Sequence, residues 1–209
     1  MVELQRAVFL DRDGTICEEV GYLDSVDRLR VFPQSGKSIR RLNDSRLKVI
    51  VVTNQSGVAR GYFPESVVSG VHSKLQSELA GDGAHLDAIY YCPHHPEGTV
   101  EPYRRDCNCR KPSPGLLRRA AKEHNLDLSS SFIVGDKYLD METGFRAGTR
   151  TILVLTGYGD EQYAAQHGSW QRQPDHVARD LPEAVDWILK QVAGKSVGKH
   201  IPDGETARP

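Results

Sequence analysis

Ala7-Val8-Phe9-Leu10-Asp11-Arg12-Asp13-Gly14-Thr15 is the stretch whose reading decides the fold. The apolar run Ala7–Leu10 reads as a buried strand. Two carboxylates, Asp11 and Asp13, follow at its carboxyl end, the edge of an open α/β sheet at which ligands bind. A carboxylate pair there can hold a hard cation through oxygen, attack an electrophile and shuttle a proton. Gly14 permits a sharp turn, and Thr15 can cap the next element. An ordinary polar turn uses the same residues, so the segment gains its meaning from later ones.

Outward from this point the chain alternates strand-like and helix-like patterns. Residues 48–53 (Lys48-Val49-Ile50-Val51-Val52-Thr53) are a β-branched run. Residues 88–91, 131–134 and 151–155 are similarly apolar, and all four predict strands. Pro64 opens a predicted helix in which Val67, Val71, Leu75 and Leu79 recur every fourth residue until Gly81 stops it. Residues 114–124 and 138–147 predict two more helices. A last one follows Pro182, with Leu181, Val185, Ile188, Leu189 and Val192 spaced for burial. This order predicts an α/β fold: a doubly wound, mostly parallel sheet with helices on both faces. A single domain is expected over residues 1–190. Residues 191–209, where Gly, Lys, Pro and acidic residues displace apolar ones, are expected to form a flexible tail.

Composition narrows the function class. The chain has 209 residues, 38% hydrophobic and 26% charged, with a formal net charge of -1. That length buries a core without crosslinks, and the charge offers no field for nucleic acid or an anionic membrane. No secretory signal pattern opens the chain and no apolar run has the length of a membrane span. A cytoplasmic monomer acting on a small molecule is the expectation, with no nucleic-acid or membrane partner.

Three later segments end strands in polar groups. Thr53-Asn54-Gln55-Ser56-Gly57 offers a hydroxyl, amides and backbone N–H groups suited to phosphate oxygens. Arg110-Lys111-Pro112 offers compact positive charge. Val134-Gly135-Asp136-Lys137 places a third carboxylate at a strand end. Each taken singly reads as a capped turn or a solvated pair. Together, in the order Asp-x-Asp, Thr, Lys, Asp, they resemble the four motifs of the haloacid dehalogenase (HAD) superfamily across residues 6–190. The resemblance implies a Mg²⁺-dependent phosphoryl transfer, and for the branch named below one without a large cap domain. Asp11 would attack phosphorus and form an aspartyl-phosphate. Asp13 would protonate the leaving group and later deprotonate water, the first task requiring its neutral form. Asp136 would complete the Mg²⁺ site with the Asp11 carboxylate and the Asp13 backbone carbonyl. Thr53 and Lys111 would hold the phosphoryl oxygens.

Cysteine spacing adds a second metal. Cys92-Pro93-His94 is followed after twelve residues by Cys107-Asn108-Cys109. Three thiolates and an imidazole make a closed tetrahedral Zn²⁺ site, with Cys92, His94, Cys107 and Cys109 as ligands and His95 as an alternative to His94. Disulfides or unrelated core thiols are the competing readings. Such a zinc would order a loop, about 92–109, that lacks a core pattern of its own, and would take no part in catalysis. Cys17 lies apart and reads as an idle thiol.

The zinc loop directly before Arg110-Lys111 resembles the HAD branch of D,D-heptose 1,7-bisphosphate phosphatases and histidinol-phosphate phosphatases. Leu10–Thr15, 51–61, Tyr90–Pro96 and Cys109–Pro112 resemble the heptose enzymes most closely. By that resemblance Glu19, Val20, Gly21, Tyr22, Asn54, Gln55, Ser56, Arg110 and Lys137 would touch substrate, a sugar bisphosphate of surface-glycan (lipopolysaccharide) synthesis. Histidinol phosphate is the alternative substrate, and a DNA 3′-phosphatase of the same superfamily a more distant one.

Overall fold

The computed structural model describes residues 4–194. Six strands form one parallel sheet: β1 (Ala7–Leu10), β2 (Lys48–Asn54), β3 (Ala88–Cys92), β4 (Phe132–Gly135), β5 (Arg150–Val154) and β6 (His176–Ala178). Their order is β3-β2-β1-β4-β5-β6, with every pairing parallel. The chain first builds outward from β1 on one side, then returns to place β4 on the other. The order therefore reverses between β1 and β4, where a crevice opens at the carboxyl ends of the strands.

Alternation within the strands explains why helices cover both faces. Val8 and Leu10, Val49 and Val51, and Phe132 and Val134 point into one core. Ala7 and Phe9, Ile50 and Val52, and Ile133 point into the other. A strand with no polar face is stable only between two apolar layers. Helices α1 (Ser35–Asp44), α2 (Glu65–Gly81) and α6 (Leu181–Gly194) supply the first layer through Ile39, Leu42, Val71, Leu75, Leu79, Val185 and Ile188. On the other face lies α3 (Gly115–His124), through Leu116, Leu117 and Ala120. Helix α4 (Tyr138–Ala147) packs on β4 and β5, and α5 (Gly159–Gln166) follows β5.

Several elements differ from the sequence reading. Helix α1 has no counterpart in it: only Ile39 and Leu42 mark the apolar face, and Gln34 caps the helix without a side-chain hydrogen bond. Helix α5 buries only Gly159, and β6 has three residues, so neither carries a usable period. In α2 Val68 rather than Val67 is fully buried, His72 joins the buried stripe, and Gly81 is the last helical residue. Helix α6 runs to Gly194, four residues past the expected end of the domain at 190. The rest of the expected tail, 195–209, lies outside the described residues. No described helix is long and apolar enough to cross a membrane.

Candidate active site

The crevice holds a cavity of about 320 Å³ whose lining includes Asp11, Asp13, Thr53, Lys111 and Asp140. Its floor is set by the sheet. Asp11 follows β1, Thr53 lies near the end of β2 and Asp136 follows β4, so parallel register alone brings the three together. The Asp11 backbone N–H donates to Val134 O at 2.9 Å, which continues the ladder into the site.

Lys111 is buried and spends its three donors on three separate elements. Its Nζ donates to Val52 O at 3.1 Å, to Asp140 Oδ1 at 2.5 Å and to Asp11 Oδ2 at 2.9 Å. Burial alone would favour the neutral amine, but the Asp11 and Asp140 carboxylates outweigh it and raise the ammonium's pKa. Asn54 fixes the Lys111 backbone. Its Oδ1 accepts from Lys111 N–H at 3.1 Å, and its Nδ2 donates to Lys111 O at 3.2 Å. Asn54, expected on substrate, lines the cavity but uses both ends of its amide to hold Lys111. Asp11 Oδ1 accepts from Arg12 N–H at 2.7 Å, so both its oxygens are oriented.

Asp13 lies in a different environment. Arg12 Nε and Nη2 donate to its two oxygens at 3.0 and 2.7 Å, and Gln55 Nε2 adds a bond to Oδ2 at 3.0 Å. Burial works against the charge, yet the Arg12 guanidinium wins and holds this carboxyl below the usual range. The geometry is that of a base. The expected acid role requires Asp13 to part from Arg12 when a leaving group arrives. The same Gln55 amide donates to Thr53 Oγ1 at 3.0 Å, tying the second motif to the first.

Asp136 carries the mark of a cation site. Its Oδ2 accepts from Tyr158 N–H at 2.9 Å, while its buried Oδ1 has no hydrogen-bond partner. Burial, with the Asp11 charge beside it, pushes its carboxyl up to about 8. Asp11, Asp136 and Asp140 each bring an oxygen within 4.8 Å of the others. Hard oxygens this close together suit a single divalent cation such as Mg²⁺. Asp140 is already engaged by Lys111 and by Lys137 N–H, at 3.2 Å to its Oδ2, which leaves Asp136 as the open ligand. Gly14 (φ +77°) and Gly157 (φ +57°) flank Asp136, and a Cβ on either would collide with its carboxylate.

Asp140 was not among the expected site residues. Its sequence signal is the Asp136-x-x-x-Asp140 spacing across a helix N-terminus, which also suits a plain helix cap. Of the expected substrate residues, Glu19, Gly21, Tyr22, Gln55, Ser56, Arg110 and Lys137 line the cavity. Val20 does not: its side chain packs against the main core. Lys137 Nζ donates to Glu19 Oε2 at 2.7 Å across the mouth.

The cysteine cluster sits beside this cavity. Sulfur pairs lie at 3.5 Å (Cys92–Cys107), 3.4 Å (Cys92–Cys109) and 3.2 Å (Cys107–Cys109), with His94 Nδ1 3.2 Å from Cys109 Sγ. All four cysteines are free thiols. A disulfide needs ~2.05 Å, whereas sulfurs on one tetrahedral Zn²⁺ at ~2.3 Å stand ~3.8 Å apart. The observed separations lie far from a disulfide and a few tenths of an ångström inside the zinc spacing, so the cluster could hold a metal ion. His95, the alternative ligand, points elsewhere: its Nδ1 accepts from Glu97 N–H and its Nε2 faces Arg60. The loop is tied to α2 by Tyr103 and Tyr91, whose hydroxyls donate to the two oxygens of Glu65 at 2.7 and 2.8 Å. Arg110, directly after the last cysteine, donates to His94 O at 3.3 Å.

Comparisons with known proteins place the fold in a family. Residues 108–184 match the HAD-hydrolase-like family model. A D-glycero-D-manno-heptose-1,7-bisphosphate 7-phosphatase of Thermosynechococcus vestitus is 45% identical over 90% of this chain and 97% of its own. The D-glycero-beta-D-manno-heptose-1,7-bisphosphate 7-phosphatase of Escherichia coli is 39% identical over 86% and 93%. The crystal structure of D,D-heptose 1,7-bisphosphate phosphatase from B. bronchiseptica, complexed with magnesium and phosphate, matches with TM-score 0.80 at 32% identity, covering 90% of this chain and 99% of that one. Fold and site together define a phosphohydrolase of the HAD superfamily. Within it, the chain belongs to the D-glycero-D-manno-heptose-1,7-bisphosphate 7-phosphatase family.

Behind Arg12, its Nη1 lies 3.3 Å from His72 Nε2 in the core. Burial, reinforced by that guanidinium, pulls the His72 pKa down to about 4. The unfolded chain therefore binds the proton first as pH falls. The contribution of neutral His72 is full above an ordinary histidine value of ~6.5 and is lost as pH drops toward 4, with an upper bound of roughly 3 kcal/mol. Urea unfolding between pH 4 and 7 should show a shallower pH dependence for His72→Gln than for the unsubstituted protein. Equal slopes would contradict this assignment.

Proposed function

We propose that this chain is a Mg²⁺-dependent phosphatase that removes the C7 phosphate of D-glycero-D-manno-heptose 1,7-bisphosphate and leaves the C1 phosphate, in the cytoplasmic supply of heptose for lipopolysaccharide or another surface glycan. The observation that carries the reading is the oriented pair of Asp11 and Lys111 on the cavity floor, with Arg110 on its wall. The names of the relatives supply the substrate.

Asp11 attacks phosphorus, its second oxygen held by Lys111, and an aspartyl-phosphate forms. Lys111 and Thr53 face the phosphoryl oxygens as charge spreads over them in a loose transition state. Asp13 parts from Arg12 and takes up a proton from solvent as substrate binds, gives that proton to the departing alkoxide, then takes one from the water that hydrolyses the intermediate. Asp11, Asp136 and the Asp13 carbonyl would hold Mg²⁺, which would screen the repulsion between carboxylate and phosphate. Arg110 and Lys137 receive the distal phosphate, since a guanidinium fork suits a dianion. Cys92, His94, Cys107 and Cys109 would hold a structural Zn²⁺ that orders the loop and takes no part in catalysis.

Phosphate release should be fastest from a heptose 1,7-bisphosphate, at least ~10²-fold above histidinol phosphate in kcat/KM, the scale of one charge-assisted contact. Phosphorus NMR should show the anomeric phosphate retained. Asp11→Asn should abolish turnover without unfolding the protein. Equal rates on histidinol phosphate, or loss of the C1 phosphate, would overturn the substrate assignment.

Purified protein should carry about one Zn²⁺ per chain, as a Cys₃His set implies. Cys107→Ser should lose the metal and lower the melting temperature. A zinc-free protein of full activity, expressed with ample metal, would remove the zinc site from the account.

A further inference from the structure

We infer that Tyr158 is a specificity-determining residue whose ring forms the carbon wall against which the C–H face of the substrate's sugar packs; this rests on the sugar-phosphate reading above. The cavity is otherwise addressed to oxygen. Carboxylates, ammonium groups, amides and hydroxyls dominate its lining, and Leu139, Tyr22 and Tyr158 provide carbon surface. A polyol phosphate needs both kinds of partner, because its hydroxyl edges alternate with apolar C–H faces. Tyr158 lines the cavity and is 41% exposed, so its ring is open to a ligand there.

The main chain places this ring rather than the phenol. The Tyr158 backbone N–H donates to Asp136 Oδ2 at 2.9 Å. Thr156 Oγ1 donates to Gly14 O at 2.5 Å, and Gly157 between them fits against Asp136 and Gly14 only without a side chain. The turn is therefore pinned to the cation site and the first motif. It presents the ring at a fixed height above the reacting centre. Lys137 Nζ lies 4.7 Å from the ring centroid and also reaches Glu19. Tyr158 thus stands beside the two charged groups at the mouth, where the body of a bisphosphate passes between its ends. Nothing in the four phosphoryl motifs requires an aromatic residue at this place, which is why a role in selecting the sugar accounts for it.

Replacement of the side chain leaves the anchoring N–H in place, so the ring can be tested apart from Asp136. Steady-state kinetics of Tyr158→Leu and Tyr158→Phe should be measured on heptose 1,7-bisphosphate and on acetyl phosphate, which has no sugar. Tyr158→Leu should raise KM for the sugar about tenfold, the scale of one lost aromatic contact, with kcat within about threefold. Its loss on the sugar should exceed its loss on acetyl phosphate at least ~5-fold. Tyr158→Phe should restore the unsubstituted KM, because the ring and not the hydroxyl does the packing. Parallel losses on both substrates would overturn the inference and assign Tyr158 to support of Asp136 and Lys137. An unchanged KM in Tyr158→Leu would overturn it as well. Failure of the unsubstituted protein on heptose bisphosphate is a separate outcome that rejects the substrate. The same comparison, run on the best sugar phosphate found, then decides Tyr158.

Discussion

A single buried ammonium organises this molecule. Lys111 Nζ ties the end of β2, the carboxylate after β1 and the carboxylate in the first turn of α4 to one point. Removing one partner from such a buried pair leaves an uncompensated charge, at a cost of about 3–5 kcal/mol. Yet one lysine does not balance Asp11, Asp136 and Asp140. Lys137 adds a second positive charge, and Asp136 remains the group with an unpartnered oxygen and a strongly raised pKa. A divalent cation held there, as proposed above, would balance the cluster.

The loop before Lys111 answers a different constraint. It is long, lacks a core of its own and must deliver Arg110 and Lys111 to the cavity wall and floor. Two devices hold it. The Cys92, His94, Cys107 and Cys109 cluster fastens its ends beside β3, and Glu65 gathers Tyr91 and Tyr103 at the start of α2. Asn54 then clamps the Lys111 backbone directly. In the proposed reading, metal binding and substrate recognition are joined by sequence adjacency: the last thiol is the neighbour of Arg110.

Much of this was legible in the residues because short-range patterns coincide with long-range roles. The β1, β2 and β4 runs are apolar on both faces, and each is followed by the polar group that parallel register carries to the crevice. The cysteine cluster was legible because its four residues fall in two short segments, which the fold brings within reach of one ion. Asp140 was hidden, since an acid in the first turn of a helix is ordinary. So was the use of Asn54 on the Lys111 backbone, which depends on a contact between residues 57 positions apart. Helices α1 and α5 and strand β6 escaped because their apolar faces are too sparse or short to show a period. The bidentate grip of Arg12 on Asp13 could not be read from adjacency alone, as neighbouring side chains on a strand end point apart by default.

The central claim is that the carboxylate cluster is a cation site whose charge is out of balance without the ion. Thermal unfolding of the unsubstituted protein and of Asp136→Asn, each in EDTA and in millimolar Mg²⁺, tests it most directly. In EDTA the variant should melt higher, because the amide relieves the uncompensated carboxylate. Mg²⁺ should raise the melting temperature of the unsubstituted protein and leave the variant nearly unmoved. A variant that melts lower in EDTA, or that gains as much from Mg²⁺ as its parent, would contradict the account.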